Sequence, residues 1–298
     1  METRRLQMLL ELSRLGSMAA VAERLGTTTS TVSQQIAALA RDTGATLLEP
    51  EGRRVRLTPA GRRLATNAGP ILAALDAALT DLTPQAAPVG TVRVSGFASA
   101  IRRALLPIVA ELADTHPDIR IVVQEHEPYE ALALLATDEI DLALTYDYNL
   151  VPATADPTVQ TSSLWSVPWS LGVPTSAATR SEPNAVAIFR MFRNHRWIGN
   201  SRNTADEQVI RLIASMADFV PEMTHKADSL DLVEELILAG MGVALLPADR
   251  ETRKGISQLA LEDPGVTLRA HVRTRHGRDA WPPLKLVLNR LLARACEP

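Results

Sequence analysis

The feature that most constrains the fold is a pair of short helical periods near the amino terminus. Leu6, Leu9, Leu10 and Leu12 recur at helical spacing, and Leu15-Gly16 supplies a stop with glycine just past the last turn. Ser17 then suits the N-cap of a short amphipathic helix carrying Met18, Val21, Ala22 and Leu25, which stops at Gly26. The run Thr27-Thr28-Thr29-Ser30-Thr31 makes a poor helix interior and a good helix start, and Val32, Ile36 and Leu39 follow at i, i+4 and i+7. Two short helices with a tight turn between them, the second opening on small hydroxyl side chains, describe a helix-turn-helix. In that reading Thr28, Thr29, Ser30, Thr31 and the first-turn N–H groups face phosphates, while Ser33 and Gln34 reach base edges. A helical hairpin in an ordinary bundle carries the same caps, so spacing alone leaves both readings open.

The next segment favours nucleic acid. Glu51-Gly52-Arg53-Arg54-Val55-Arg56-Leu57-Thr58 reads as a turn at Gly52 and a short strand with Arg54 and Arg56 on one face. Such a ribbon is a wing, with Arg53, Arg54 and Arg56 placed to touch the phosphate backbone. Thr58-Pro59 then starts another helix, with Thr58 as N-cap and Pro59 at its first position. Charge is distributed to match. Residues 1–66 hold ten Arg, no Lys and six Asp plus Glu, a balance of +4, whereas the rest holds 21 basic and 28 acidic residues, a balance of −7. A basic head on an acidic body implies that the head meets a polyanion and the body does not. Only Lys226, Lys254 and Lys285 are lysine, so the choice of Arg in the head is not itself a phosphate signal.

Ser17, Ala22, Leu25, Thr28, Ser30, Thr31, Val32, Ser33, Ile36, Leu39, Gly44, Leu47 and the run Leu57-Thr58-Pro59-Ala60-Gly61 fall in register on the signature of LysR-type transcriptional regulators. The resemblance covers the whole head. Thr29 and Pro50 stand where the family usually has Gln and Arg, two side chains that commonly contact DNA, so site preference is expected to differ. The family resemblance implies a winged helix-turn-helix head, a linker helix that pairs two subunits, and a two-lobed α/β effector domain like periplasmic solute-binding proteins. It also implies double-stranded DNA as partner at an imperfect palindromic promoter site, a small-molecule effector, a homodimer or homotetramer, and RNA polymerase as a further partner.

Leu64, Ala68, Ile71, Leu75, Leu79 and Leu82 follow steps of three and four, close to a coiled-coil seam. A helix packed on its own body is the alternative. Gly69-Pro70 falls mid-helix and predicts a kink or restart, because proline removes a bond and crowds the preceding turn. Residues 83–88 read as a hinge. Beyond it strands are expected at 91–96, 119–125 and 140–146, with helices at 100–112 and 129–136 between them, a βαβαβ unit on a parallel sheet. A second series runs through a strand at 167–173, Trp197-Ile198, a helix near 206–216, 223–225, a helix at 230–239 and a strand at 243–246. Residues 268–272 and 282–295 should return to the first lobe as a strand and a helix. The expected division is 1–58 for the head, 59–88 for linker and hinge, and 89–298 for the effector domain. Within the last, lobe one takes 89–162 and 268–298, and lobe two takes 163–267.

Catalytic chemistry finds no constellation. Gly240-Met241-Gly242 follows a helix and precedes a strand, the reverse of a dinucleotide loop, and no GxSxG elbow, Walker loop or HExxH spacing occurs. The single cysteine, Cys296, excludes an internal disulfide within these 298 residues. The longest nearly apolar run, residues 236–248, is too short to span a bilayer, and a cytoplasmic protein without metal or cofactor is expected. In open α/β lobes ligands bind beyond the carboxyl ends of strands. Those ends point to Ser99 and Ala100, to Glu127 and Pro128, and to Asp147. In the second lobe they point to Asn200, Ser201, Asp228 and Ser229. Glu127, Asp147 and Asp228 near Tyr129, Tyr146 and Tyr148 predict a cationic or zwitterionic effector; Arg102 and Arg103, turned inward, would instead predict a carboxylate. An enzyme fused to a winged helix and an architectural DNA-binding protein are the competing functions.

Overall fold

The computed structural model describes residues 2–52, 54–81, 87–178, 182, 184–202 and 205–295; Arg53, Leu82, hinge residues 83–86 and Cys296 lie outside the described residues. In the head, α1 (Thr3–Leu15) ends at Gly16 in left-handed backbone, φ +66°. The Ser17 hydroxyl accepts from the Ala20 N–H at 3.2 Å and starts α2 (Met18–Arg24). Thr28 does the same for α3 (Thr29–Thr43), accepting from the Thr31 N–H at 3.2 Å. Leu6, Leu9, Val21, Val32, Ile36 and Leu39 close a core between the three helices. Strands β1 (Leu48–Glu51) and β2 (Arg54–Leu57) pair antiparallel with Glu49 opposite Arg56, which makes the wing.

Thr58 caps α4 (Pro59–Asp81), accepting from the Gly61 N–H at 3.0 Å while donating to the Thr46 carbonyl at 2.6 Å. A Cβ at Gly61 would collide with the Leu47 carbonyl, so glycine is what lets wing and helix meet. Helix α4 is continuous through Pro70, with no restart. One proline removes one intrahelical bond, and packing on both sides holds the backbone helical. Ala65 and Ala68 sit in the head core, and a Cβ on Gly69 would lie 3.2 Å from Arg278 Cδ of the body. The expected seam divides in two. Ala68 is buried and Leu64 half-buried against the head, whereas Ile71, Leu75 and Leu79 face outward at 44%, 37% and 55% exposure.

In the body, β3 (Gly90–Gly96) pairs parallel with β4 (Ile119–Glu125) on one side and β5 (Leu142–Tyr148) on the other. A short helix α5 (Ala98–Ala100), a π-helical turn (Ile101–Leu105) and α6 (Leu106–Thr115) connect β3 to β4, and α7 (Pro128–Ala136) connects β4 to β5. This is the expected βαβαβ unit. Beyond β5 the chain departs from expectation. Strand β6 (Val159–Pro174) begins eight residues earlier than the predicted start at 167, because Gln160, Thr161, Ser162 and Ser163 look like loop. That half of β6 is an edge strand paired only with β11 (Thr267–Arg275), and an edge tolerates polar residues.

The second lobe follows through α8 (Ala185–Met191), β7 (Arg196–Gly199), α9 (Ala205–Met216), β8 (Glu222–Lys226), α10 (Leu230–Leu238), β9 (Ala244–Pro247) and β10 (Ile256–Ala260). Helix α8 and strand β10 were not expected. The carboxyl half of β6 changes partners, pairing Trp169 with Pro247 of β9 and Ser170 with Ala260 of β10. At Pro168 and Trp169 strand β6 exchanges β11 for β9, and the expected 162/163 boundary falls inside β6. Helix α11 (Pro282–Ala295) returns to lobe one, where Leu284, Val287 and Leu291 pack with Val92, Leu105 and Leu144.

Candidate functional site

Two sites emerge. On the head, Val32, Ile36 and Leu39 turn the inner face of α3 into the core, leaving Thr29, Ser30, Ser33 and Gln34 exposed on the outer face. Thr28 Oγ1 is engaged with Ser30 and Thr31 hydroxyls at 2.9 and 2.8 Å, so Thr28 and Thr31 mainly build the cap. The wing is the second exposed feature of the head. Arg56 is 56% exposed there and contacts Glu49 Oε1 at 2.8 Å; such an exposed pair is worth about 0–1 kcal/mol, which phosphate can displace. Arg54 lies opposite Glu51 in the ribbon.

The second site is a narrow cleft between the lobes, with a cavity volume of about 70 Å³. Its lobe-one wall comes from the carboxyl ends of strands: Phe97, Ala98 and Ser99 after β3, Glu127 after β4, and Tyr146 on β5. Trp169 on β6 forms its floor, and lobe two contributes Asn200 after β7, Asp206 on the first turn of α9, and Asp228 before α10. Tyr146 donates its hydroxyl to Glu127 Oε2 at 3.0 Å and accepts from Asn200 Nδ2 at 3.3 Å, so one ring ties the two walls together. Arg202 spans the mouth, with Asp228 at 3.1 Å, Glu125 at 3.5 Å and Glu130 at 3.8 Å.

The cleft's carboxylates differ in environment. Burial pushes the Glu127 carboxyl up, opposed by the Tyr146 hydroxyl and reinforced by negative Asp228. Burial pushes Asp206 further, up to about 7, opposed by the Tyr148 hydroxyl and reinforced by Glu127 and Asp228. Asp206 is only 6% exposed, and its Oδ1 has no hydrogen-bond partner of normal geometry; nor does the buried Tyr148 Oη facing it. Burial also acts on Asp228, but the hydroxyl and N–H of Ser201 and the Arg202 guanidinium outweigh it and hold this carboxyl low.

Of the sequence-predicted effector residues, Ser99, Glu127 and Asn200 line the cleft, and so does Asp228. The other five do not. Ala100 is fully buried in the core, and Pro128 is the buried first residue of α7. Ser201 is spent on Asp228, and exposed Ser229 is the N-cap of α10. Asp147 neighbours Tyr146 on β5 and so points to the opposite face of the sheet. There it accepts from the Ala153 N–H and Arg269 Nε, both at 2.8 Å, and meets His271 Nε2 at 3.2 Å. Arg103 is likewise occupied outside the cleft, stacking on Trp165 at 5.0 Å and pairing with Asp249 at 3.2 Å. Arg102 is exposed and Tyr129 is 79% exposed. Asp206 and Trp169 went unforeseen. An acid in a helix's first turn is ordinarily a solvated partner of the dipole, and a tryptophan in a strand is ordinarily core.

A winged helix-turn-helix joined through a long helix to a two-lobed ligand cleft defines a one-chain transcription regulator with its own small-molecule sensor. Residues 3–62 match the family model for the bacterial regulatory helix-turn-helix protein, lysR family, and residues 85–296 match the LysR substrate binding domain. The chain therefore belongs to the LysR family, whose members bind DNA, respond to small-molecule effectors, act as oligomers and are not enzymes. A probable hydrogen peroxide-inducible genes activator of Mycobacterium avium is 26% identical over 269 residues, spanning 87% of this chain and 83% of that protein. A full-length OxyR variant from Pseudomonas aeruginosa is similar in fold, with TM-score 0.74 and 17% identity over 99% of this chain and 94% of that one. Full-length CbnR in complex with its target DNA gives TM-score 0.51 and 21% identity over 99% of this chain and all of the other. Among the described residues no helix is long and apolar enough to cross a membrane.

Proposed function

We propose that Thr29, Ser30, Ser33 and Gln34 on α3 read the DNA site, with Thr28 and Thr31 shaping the cap that meets phosphate and Arg53, Arg54 and Arg56 holding the flanking backbone. The observation that carries this reading is the exposed polar face of α3 together with an arginine-bearing wing, both on the net-basic head of an otherwise acidic chain. Functionally we assign residues 1–58 to the DNA-binding unit, 59–88 to the linker and 89–298 to the effector unit. Strand pairing supports exchanging its lobes near residues 168/169 and 266/267, rather than at 162/163. The effector enters the cleft lined by Ser99, Glu127, Asn200 and Asp228, and the protein works in the cytoplasm at a promoter.

Binding isotherms of the full chain on its promoter across a salt series test the head assignment. Changing Arg54 and Arg56 to Ala should weaken binding to every sequence and reduce the salt slope by about 2, since each phosphate contact releases close to one counterion. Changing Ser33 or Gln34 to Ala should alter preference between sites at a cost of about 1–3 kcal/mol for the preferred base. An unchanged salt slope in the arginine variant would remove the wing from the interface. The cysteine count separates this chain from peroxide sensing by an internal disulfide, which needs two cysteines; these 298 residues hold one.

A further inference from the structure

The interlobar cleft is lined by the carboxylates of Glu127, Asp206 and Asp228 and, among the described lining residues, by no Lys, Arg or His. Asp228 is paired directly with Arg202 at the rim, which reaches Glu127 only at longer range. Glu127 receives a neutral hydroxyl from Tyr146, and Asp206 faces only the neutral Tyr148 hydroxyl, its buried Oδ1 making no hydrogen bond of normal geometry. A buried carboxylate without a cation is costly, and such a cost is retained where a ligand completes the group. An independent observation points the same way. Trp169, which lines the cleft and is 9% exposed, holds its indole N–H buried with no acceptor among the described residues. With Phe97 and Tyr146 it also offers aromatic faces, which attract cations.

We propose that the effector is a small organic cation, an ammonium or guanidinium compound that also carries a hydrogen-bond acceptor, with Glu127 and Asp206 receiving its charge. The proposal rests on the reading of the cleft as the effector site. A compact metal ion does not fit, because among the described residues no three His, Cys, Asp or Glu side chains come together to hold one. A carboxylate ligand meets no basic side chain among the described lining residues, and the guanidinium at the mouth, Arg202, is already engaged by Asp228, Glu125 and Glu130. The groups facing Asp206 are Tyr148 from β5, Glu127 from the start of α7 and Asp228 from the loop before α10, with Arg202 behind Asp228. A cation entering among them favours ionised Asp206, so binding should expel a proton below neutral pH.

Titration calorimetry and thermal shift on the full chain decide it, with arginine, argininamide and ethanolamine, cations that each carry an acceptor oxygen, set against benzoate and 2-oxoglutarate. At least one cation should bind and raise the melting temperature. Glu127→Gln and Asp206→Asn should each lower its affinity about thirtyfold or more, as expected when one partner of a buried charge pair is removed. With Asp206 titrating at about 7, affinity should rise about tenfold from pH 6 to pH 8. The proposal is overturned if none of the three cations binds, or if cation binding survives both variants. Benzoate or 2-oxoglutarate binding that survives both but is lost in Asn200→Ala or Trp169→Phe would reverse the ligand's sign and leave the cleft reading standing. Binding of any probe that ignores all four variants would overturn both.

Discussion

At the scale of single residues, Asp206 concentrates the conflict between stability and binding. Its folded-state value of about 7 lies above the ordinary 3.8, so between those values the folded chain holds a proton that the unfolded chain releases. Stability therefore falls as pH rises from about 4 to about 7, and the full penalty is present above 7. Asparagine copies the neutral form at every pH. Asp206→Asn should accordingly be more stable than the parent by an amount that grows over that range, with an upper bound of about 4 kcal/mol. Melting curves at pH 5 and pH 8 check this, and an equal gain at both would show that Asp206 stays ionised. Asp147 is the contrasting case. Burial acts on it too, yet Arg269, the Ala153 N–H and His271 outweigh burial and hold its carboxyl low, so it ties β5 to β11. Residue type alone does not distinguish these two aspartates.

At the scale of elements, α4 has two faces with different tasks. Its first turns bury Ala65 and Ala68 in the head, and Gly69 passes close to Arg278 of the body. Further along, Ile71, Leu75 and Leu79 recur at steps of four and stay exposed within one chain. An apolar stripe of that spacing fits a partner helix. Replacing Leu75 and Leu79 with Asp would bury charge across such a seam, at several kcal/mol per ion, while costing little within the chain. Light scattering should show the oligomer shift to lower mass in this variant. Unchanged mass would place the subunit contact elsewhere. The helix-turn-helix, by contrast, needs nothing beyond its own segment: caps at Ser17, Thr28 and Thr58 form as the residue types dictate.

At the scale of the whole molecule, Asp141 is where head, linker region and body meet. Its side chain is 1% exposed and accepts from Arg278 at 2.6 Å and the Arg93 N–H at 3.0 Å, with Arg14 of α1 at 3.9 Å. Asp141→Ala would leave Arg278, itself 9% exposed, without this partner. Breaking a buried ion pair from one side costs about 3–5 kcal/mol, so urea unfolding followed by tryptophan fluorescence should show a loss of that order. A change within about 0.5 kcal/mol would mean that solvent already serves these arginines. The lobes are tied just as specifically, through Tyr146–Asn200 and through Arg202 to Glu125 and Glu130.

The head was legible because its determinants are local. Glycine stops, hydroxyl caps, helical periods and a charged turn act over a few residues, and neighbours along the chain are neighbours in space. The βαβαβ unit was legible for the same reason, from alternation and length. The cleft was only partly so. Ser99, Glu127, Asn200 and Asp228 could be placed because strand ends and helix starts mark them. Asp147 could not be told from Tyr146, since neighbours in a strand point to opposite faces and the register that chooses the face is fixed by β3 and β11. The polar half of β6, the burial of Asp206 and the position of Trp169 depend on pairing between segments far apart in the chain, such as Val159 with Arg275 and Trp169 with Pro247. Sequence alone therefore determined the elements of the head and of the βαβαβ unit, but not α8, β10 or the polar half of β6. Long-range strand pairing decided which side chains share a cavity, because burial and charge compensation are properties of what packs against a residue.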